Sequence, residues 1–136
     1  MIKWNNLNTL SSFENLSKVE RVKLAEVMSG ENGADRVKKY TIPMAAGLSY
    51  NYAAKQVDDD VLEALTKLAE EAQLAEKFEA LYNGEVINTG EKRLVLHHMT
   101  RGQLGEAVEA DGVDKRTFYT EQQKKNADFA NKVHAG

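Results

Sequence analysis

The chain has 136 residues, with 18 Lys and Arg against 21 Asp and Glu, giving a formal net charge of −3 with both signs interspersed. That balance argues against a nucleic-acid or anionic-membrane surface. With no cysteine, a disulfide framework and a thiolate metal site are excluded, and the lack of cysteine fits a cytoplasmic protein. The opening MIKWNNLNTL lacks the apolar run of a signal peptide, and no stretch is long enough to span a bilayer. The length suits one domain with its own core, so residues 1–136 are expected to form a single helical region.

Trp4, Leu7, Leu10 and Phe13 recur every three residues and predict a first helix, weakened by Asn and Ser between them. Ser17 and Glu20 have capping-box spacing, so a clearer helix is expected to open at Ser17. Its apolar face would be Val19, Val22 and the region 24–28, and Gly30 would end it. Asn32 and Gly33 read as a turn, and DRVKKY as a short basic helical turn. Next comes Pro43, the only proline, which pushes the residue before it to extended geometry. Leu48, Tyr50 and Tyr52 then alternate at period two. Residues 40–52 therefore predict a small β-hairpin at an edge, where proline is tolerated.

Three aspartates at 58–60 complement the positive end of the strongest predicted helix. Val61, Leu65, Leu68 and Ala72 form one apolar stripe, and Leu74, Phe78, Leu81 and Tyr82 a second. One bent helix and two helices jointed near residues 71–72 both fit this pattern. Gly84 is the expected stop. Thr89 is a candidate cap for a helix over 90–100. Asp111 and Gly112 are a strong two-residue hairpin signal. A last helix is expected from Asp114 or Thr117 to His134, its apolar face thin: Phe118, Ala127, Ala130 and Val133, with Phe129 to one side. The expected fold class is mainly α, or α+β with one or two small hairpins.

If 90–100 is helical, Arg93, His97 and Arg101 sit four apart along one face. Such a stripe can face an anionic ligand such as a phosphate. The preferred reading is that neighbouring carboxylates or backbone carbonyls satisfy it. His97 and His98 are adjacent, face different ways on a helix and lack the i,i+4 spacing of a zinc pair, so no metal site is expected. The tyrosines at 40, 50, 52 and 82 read as strand and core packing. The basic pairs at 38–39, 115–116 and 124–125 read as solvated faces. There is no phosphate-binding glycine loop, no G-x-S-x-G and no nucleophile–base pair. Residue chemistry alone describes a mainly helical domain with no visible active site.

The run NGEVINTGEKRLVLHHMTR, residues 83–101, resembles a segment of the glucose-6-phosphate isomerase family with the sense F-x-G-E-x-I-N-x-T-E-x-R-A-V-L-H-x-A-L-R. Gly84, Glu85, Ile87, Asn88, Glu91 or the residue beside it, Arg93, Val95, Leu96, His97 and Arg101 fall on matching positions. LSYNYAAKQVDDDVLEALTKLAEE resembles the family's L-x-x-D-Y-S-K-N-x-I-x-x-x-x-L-x-x-L-A, with Tyr52 on the tyrosine and Val57 on the apolar residue before the helix. ADRVKKY resembles the D-x-R-F-x-x-F run upstream. These pieces keep family order and spacing over most of residues 33–101. The tail VDKRTFYTEQQKKNADFANKVHAG is similar to the helix leading into the family's first sugar-isomerase domain. Asn51 and Ala53 replace the Asp and Ser of D-Y-S. His98, Met99 and Thr100 replace the x-A-L before the arginine, and GQLGEAVEADGV lacks the family's N-R-S.

The resemblance implies the N-terminal helical portion of an α/β sugar-isomerase enzyme of glycolysis and gluconeogenesis. Its members interconvert glucose 6-phosphate and fructose 6-phosphate through a cis-enediol, with a glutamate base and no metal or other cofactor. The sugar phosphate is the implied substrate of the full-length protein, which would be a cytoplasmic homodimer. The family's phosphate loops, glutamate and catalytic histidine follow a G-I-G-G-S turn that lies beyond Gly136. No catalytic, substrate-binding or metal-ligating residue is therefore carried over. Arg93, His97 and Arg101 are assigned a structural role, extending at most to supporting the site, and the 136-residue chain by itself is expected to be inactive. Such a fragment predicts exposed apolar surface where missing domains would sit. A standalone helical interaction module predicts a sealed polar surface or a self-pairing patch. A phosphosugar-binding regulatory domain built on the basic stripe is the third reading.

Overall fold

In the computed structural model, which describes residues 1–29, 32–102 and 105–136, the chain is mainly helical with two small antiparallel hairpins, an α+β arrangement. It divides into two units, Asn5–Ala72 and a second made of Met1–Trp4 with Gln73–Gly136.

In the unit Asn5–Ala72, helix α1 spans Ser11–Lys18. Its own N-cap position, Leu10, offers no side-chain acceptor. The acceptor comes instead from Glu71, in the last turn of α4 (Asp59–Glu71). The Glu71 carboxylate accepts from the Ser12 N–H at 2.8 Å, the Ser11 N–H at 3.3 Å and both serine hydroxyls. Orphan amides and the positive helix end both favour such a carboxylate. The hydrogen bond from the Ser12 hydroxyl, first among its causes, holds the Glu71 carboxyl below its usual 4.5.

The helix expected to open at Ser17 does not. The Ser17 hydroxyl donates back to the Glu14 carbonyl at 2.6 Å, so it is spent inside α1 and leaves no acceptor for downstream amides. The chain turns extended at Val19, and α2 begins only at Leu24, spanning Leu24–Ser29. The stop at Gly30 lies outside the described residues. α3, Gly33–Lys39, supplies Arg36, whose guanidinium donates to the carbonyls of Ala53 (2.9 Å), Val57 (2.7 Å) and Lys55 (3.1 Å) and lies over the Tyr40 ring. One planar fork thus pins the loop leading to α4.

The expected hairpin is present. β1 (Thr41–Pro43) pairs antiparallel with β2 (Ser49–Asn51), with Ile42 opposite Tyr50. α4 starts where the aspartates predict, and the Asp58 side chain accepts from the Val61 N–H at 3.0 Å. Among the described residues of this unit, Leu10, Tyr40, Ala53, Val61 and Ala72 are the buried apolar ones.

Gln73 takes left-handed backbone angles, φ 53° and ψ 48°, so two helices are formed rather than one bent helix. α5 spans Leu74–Tyr82. Its end is a Schellman motif: the Glu85 N–H donates to the Ala80 carbonyl at 2.9 Å and the Gly84 N–H to the Leu81 carbonyl at 3.2 Å. Gly84 has φ 71°, and a Cβ there would lie 2.3 Å from a Val108 methyl, so both its backbone and its space demand glycine. β3 (Glu109–Ala110) and β4 (Val113–Asp114) form the second hairpin, with Asp111 and Gly112 both at positive φ as a type I′ turn requires. The Asp114 side chain caps α6, Lys115–Ala135, accepting from the N–H groups of Arg116 and Thr117. At the other end of the chain, the Lys3 N–H donates to the Gln73 side chain at 2.8 Å. Among the described residues of this unit, Ala80, Met99 and Val108 are the buried apolar ones.

The helix expected over 90–100 is absent. Asn88 and Arg93 form an antiparallel bridge, and the Asn88 side chain accepts from the Glu91 N–H. Lys92 sits at φ 53°, and only a 3-10 turn, His97–Thr100, follows. Asn88 offers a local turn that competes with helix, and Gly90 adds backbone entropy against it.

Candidate functional site

With no helix over 90–100, Arg93, His97 and Arg101 do not form a stripe. Arg93 pairs its backbone with Asn88 and leaves its side chain about three-quarters exposed, 3.8 Å from Glu91. His97 is exposed and opens the 3-10 turn, where its carbonyl accepts the Thr100 hydroxyl. Arg101 is exposed and closes that turn through its N–H to the His98 carbonyl. Among the described residues no hydrogen bond, ion pair or ring contact joins any two of the three.

The polar groups enclosed near this run are others. Arg116, at the start of α6, is buried. Its Nη2 donates to the Tyr82 carbonyl at 2.7 Å and its Nε to the Glu106 carbonyl. It thereby ties the end of α5 to the loop before β3. The fit is tight: a Cβ on Gly105, which has φ 97°, would lie 2.8 Å from the guanidinium. Nη1 is enclosed with no hydrogen-bond partner. The other face of Tyr82's surroundings holds His98, whose ring stacks on the Tyr82 ring at 4.7 Å between centroids. Both His98 ring nitrogens are enclosed without a partner. The His98 imidazole packs on Tyr82, and the Arg116 guanidinium donates to main-chain carbonyls as a clip between segments.

The solvated reading of Lys115 and Arg116 is therefore corrected: Arg116 is buried, and the Lys115 side chain is about one-fifth exposed, 3.3 Å from Asp111. The signal lay in position. Residues directly after a hairpin and at a helix start face the turn they close, and adjacency to another lysine hides that.

Surface grooves occur in the unit Asn5–Ala72. One, about 570 Å³, has Val27, Arg36, Lys39 and Tyr40 in its lining; another, about 510 Å³, has Ser11, Ser12, Lys67 and Glu71. Several of their charged groups are paired. Lys39 lies 2.6 Å from Asp59, and the hydrogen bond between them raises the Lys39 pKa and lowers that of Asp59. Lys67 lies 2.6 Å from Glu63, and Glu71 holds the start of α1.

The family model described as phosphoglucose isomerase matches residues 51–136. The chain belongs to the phosphoglucose isomerase family. It is 47% identical to a glucose-6-phosphate isomerase of Treponema denticola over 99% of this chain and 27% of that protein. It is 39% identical to one of Treponema pallidum strain Nichols, over 99% of this chain and 26% of the relative. It is 38% identical to one of Borreliella afzelii, over all of this chain and 25% of the relative. The chain thus spans about a quarter of the length of the curated relatives it matches. Of the residues in the family-like run 83–101, Gly84 ends α5 and Asn88 builds the turn that replaces the expected helix.

Proposed function

We propose that this chain is the N-terminal helical region, residues 1–136, of a glucose-6-phosphate isomerase. The full-length enzyme would interconvert glucose 6-phosphate and fructose 6-phosphate through a cis-enediol, with a carboxylate moving the proton between adjacent carbons. It would work in the cytoplasm as a homodimer. The observation that carries this reading is that relatives named glucose-6-phosphate isomerase match 99–100% of this chain at 38–47% identity while it covers only a quarter of each.

The geometry supports a structural role for this region. Arg93, His97 and Arg101 are separate and exposed, and the enclosed polar groups, Arg116 and His98, are spent on Tyr82, on Glu106 or on packing. The chemistry would then reside in the portion of the enzyme outside these 136 residues. The test is a coupled isomerase assay on two products, the full-length polypeptide and residues 1–136. The full-length product is expected to turn over fructose 6-phosphate and the shorter one to show none. Turnover by the shorter one would overturn the assignment of catalysis elsewhere; an inactive full-length product would overturn the isomerase reading itself.

A further inference from the structure

The hairpin 40–52 has two unlike faces. One carries Thr41, Pro43, Ser49 and Asn51, with the Asn51 side chain donating to the Thr41 hydroxyl. The other is an apolar ladder of three rungs. Its base is Tyr40 and Tyr52, whose rings lie 5.2 Å apart. Tyr40 is 4% exposed, and its hydroxyl bonds Asp59. The middle rung is the opposed pair Ile42 and Tyr50, 49% and 46% exposed, with Tyr50 stacked on Tyr52. The tip is Met44 and Leu48, joined by the Met44 N–H to the Leu48 carbonyl at 2.8 Å and 55% and 65% exposed. Residues two apart along a strand share a face, so the rungs form one surface that is anchored at the base and bare at the tip.

A two-stranded hairpin is marginal by itself, and strands with one apolar face gain their stability by covering it. Here the covered part is the base alone. We propose that the ladder Ile42, Met44, Leu48 and Tyr50 is the seat of an apolar segment from the part of the full-length polypeptide beyond residue 136. The inference rests on the isomerase reading, and the relatives, of which this chain covers 25–27%, supply the length of chain from which such a segment comes. The ladder by itself is small for a second copy. Four half-exposed side chains present on the order of 100 Å² each, roughly 400 Å² in all, half of the ~800 Å² per partner of a standard interface. A tethered segment avoids the association entropy that a second copy must overcome.

The chain's methionines supply a ruler. Met1 is fully exposed, Met28 and Met44 are partly exposed, and Met99 is buried. Peroxide oxidation of methionine follows exposure, so in the active full-length enzyme Met44 is expected to oxidise roughly tenfold more slowly than Met28, close to Met99. Mass spectrometry of tryptic peptides reads all four rates at once. In parallel, Leu48 is replaced by the photo-crosslinker benzoylphenylalanine. Irradiation is expected to give a cross-link within one polypeptide, to a peptide beyond residue 136. Oxidation of Met44 as fast as Met28 in an active enzyme overturns the proposal, as does a cross-linked band of doubled mass or a cross-link to residues 1–136. The isomerase reading fails separately, through the activity of the same preparation.

Discussion

Two residues carry more of this fold than their neighbours in sequence suggest. Arg116 donates to the Tyr82 and Glu106 carbonyls and is buried while doing so. Arg116→Met keeps much of the volume but leaves the Tyr82 and Glu106 carbonyls without that donor. That is expected to cost roughly 2–4 kcal/mol, read as a lower urea midpoint at unchanged slope. Arg116→Lys should recover only part of the loss, because a single ammonium cannot reach both carbonyls as a planar fork does. A midpoint unmoved by either change would show that the clip is idle. Gly84 acts through space and backbone together. Gly84→Ala meets a left-handed φ and the Val108 methyls at once, so about 2–4 kcal/mol of destabilisation is expected. Gly112 serves as control: it also has positive φ, but nothing lies near its missing Cβ, so Gly112→Ala should cost only the backbone part, about 1–2 kcal/mol.

Elements whose determinants are local were legible in the sequence, and those whose determinants come from elsewhere in the fold were not. The Asp58 cap, the Gly84 stop and the turn at Asp111 and Gly112 each depend on a few adjacent residues, and each is where the pattern placed it. The start of α1 is different. Its cap, Glu71, is 60 residues away from Ser11, and no local pattern could assign it. The run 90–100 went astray for a related reason. Its apolar residues fit helical spacing, but the Asn88 side chain and the positive φ at Lys92 close a tight turn first. With that helix went the basic stripe, so no candidate site was legible beyond single residues. The Glu71 cap makes a pH prediction. Its carboxyl is held below the usual 4.5 by the Ser12 hydroxyl first, so its stabilisation is fully present above 4.5 and is lost as pH falls through the lower folded value. Asp114, lowered from 3.8 chiefly by the Thr117 hydroxyl, behaves alike at the start of α6. Circular dichroism melts between pH 5 and 2 should show a falling midpoint. In Glu71→Gln the part due to α1 should vanish, leaving a shallower slope; an unchanged slope would refute the cap's role.

Across the whole molecule, apolar side chains are placed as if for cover. Among the described residues the largest fully buried side chains are Met99 and Val61, a small complement. Leu74 and Phe78 on α5, and Phe129 and Val133 on α6, are each more than half exposed. α6 buries one residue, Arg116, among its 21. Exposure on this scale, on helices that carry large apolar groups, fits the fragment reading and is not a sealed polar surface; a self-pairing module would present it too. Among the described residues no helix is long and apolar enough to cross a membrane. The consequence is measurable on residues 1–136 as an isolated polypeptide. Anilinonaphthalene sulfonate binds accessible apolar surface in loosely packed states. Its emission per mole is expected to be several-fold higher with the isolated polypeptide than with the proposed full-length enzyme, and the urea transition of the isolated polypeptide should be broad. Sedimentation separates this outcome from self-pairing, in which dye emission falls as the polypeptide concentration rises. A monomer with low emission and a sharp transition would mean that these faces need no cover. Residues 1–136 would then be a self-sufficient module, and the search for function would move from the missing chemistry to whatever the module binds.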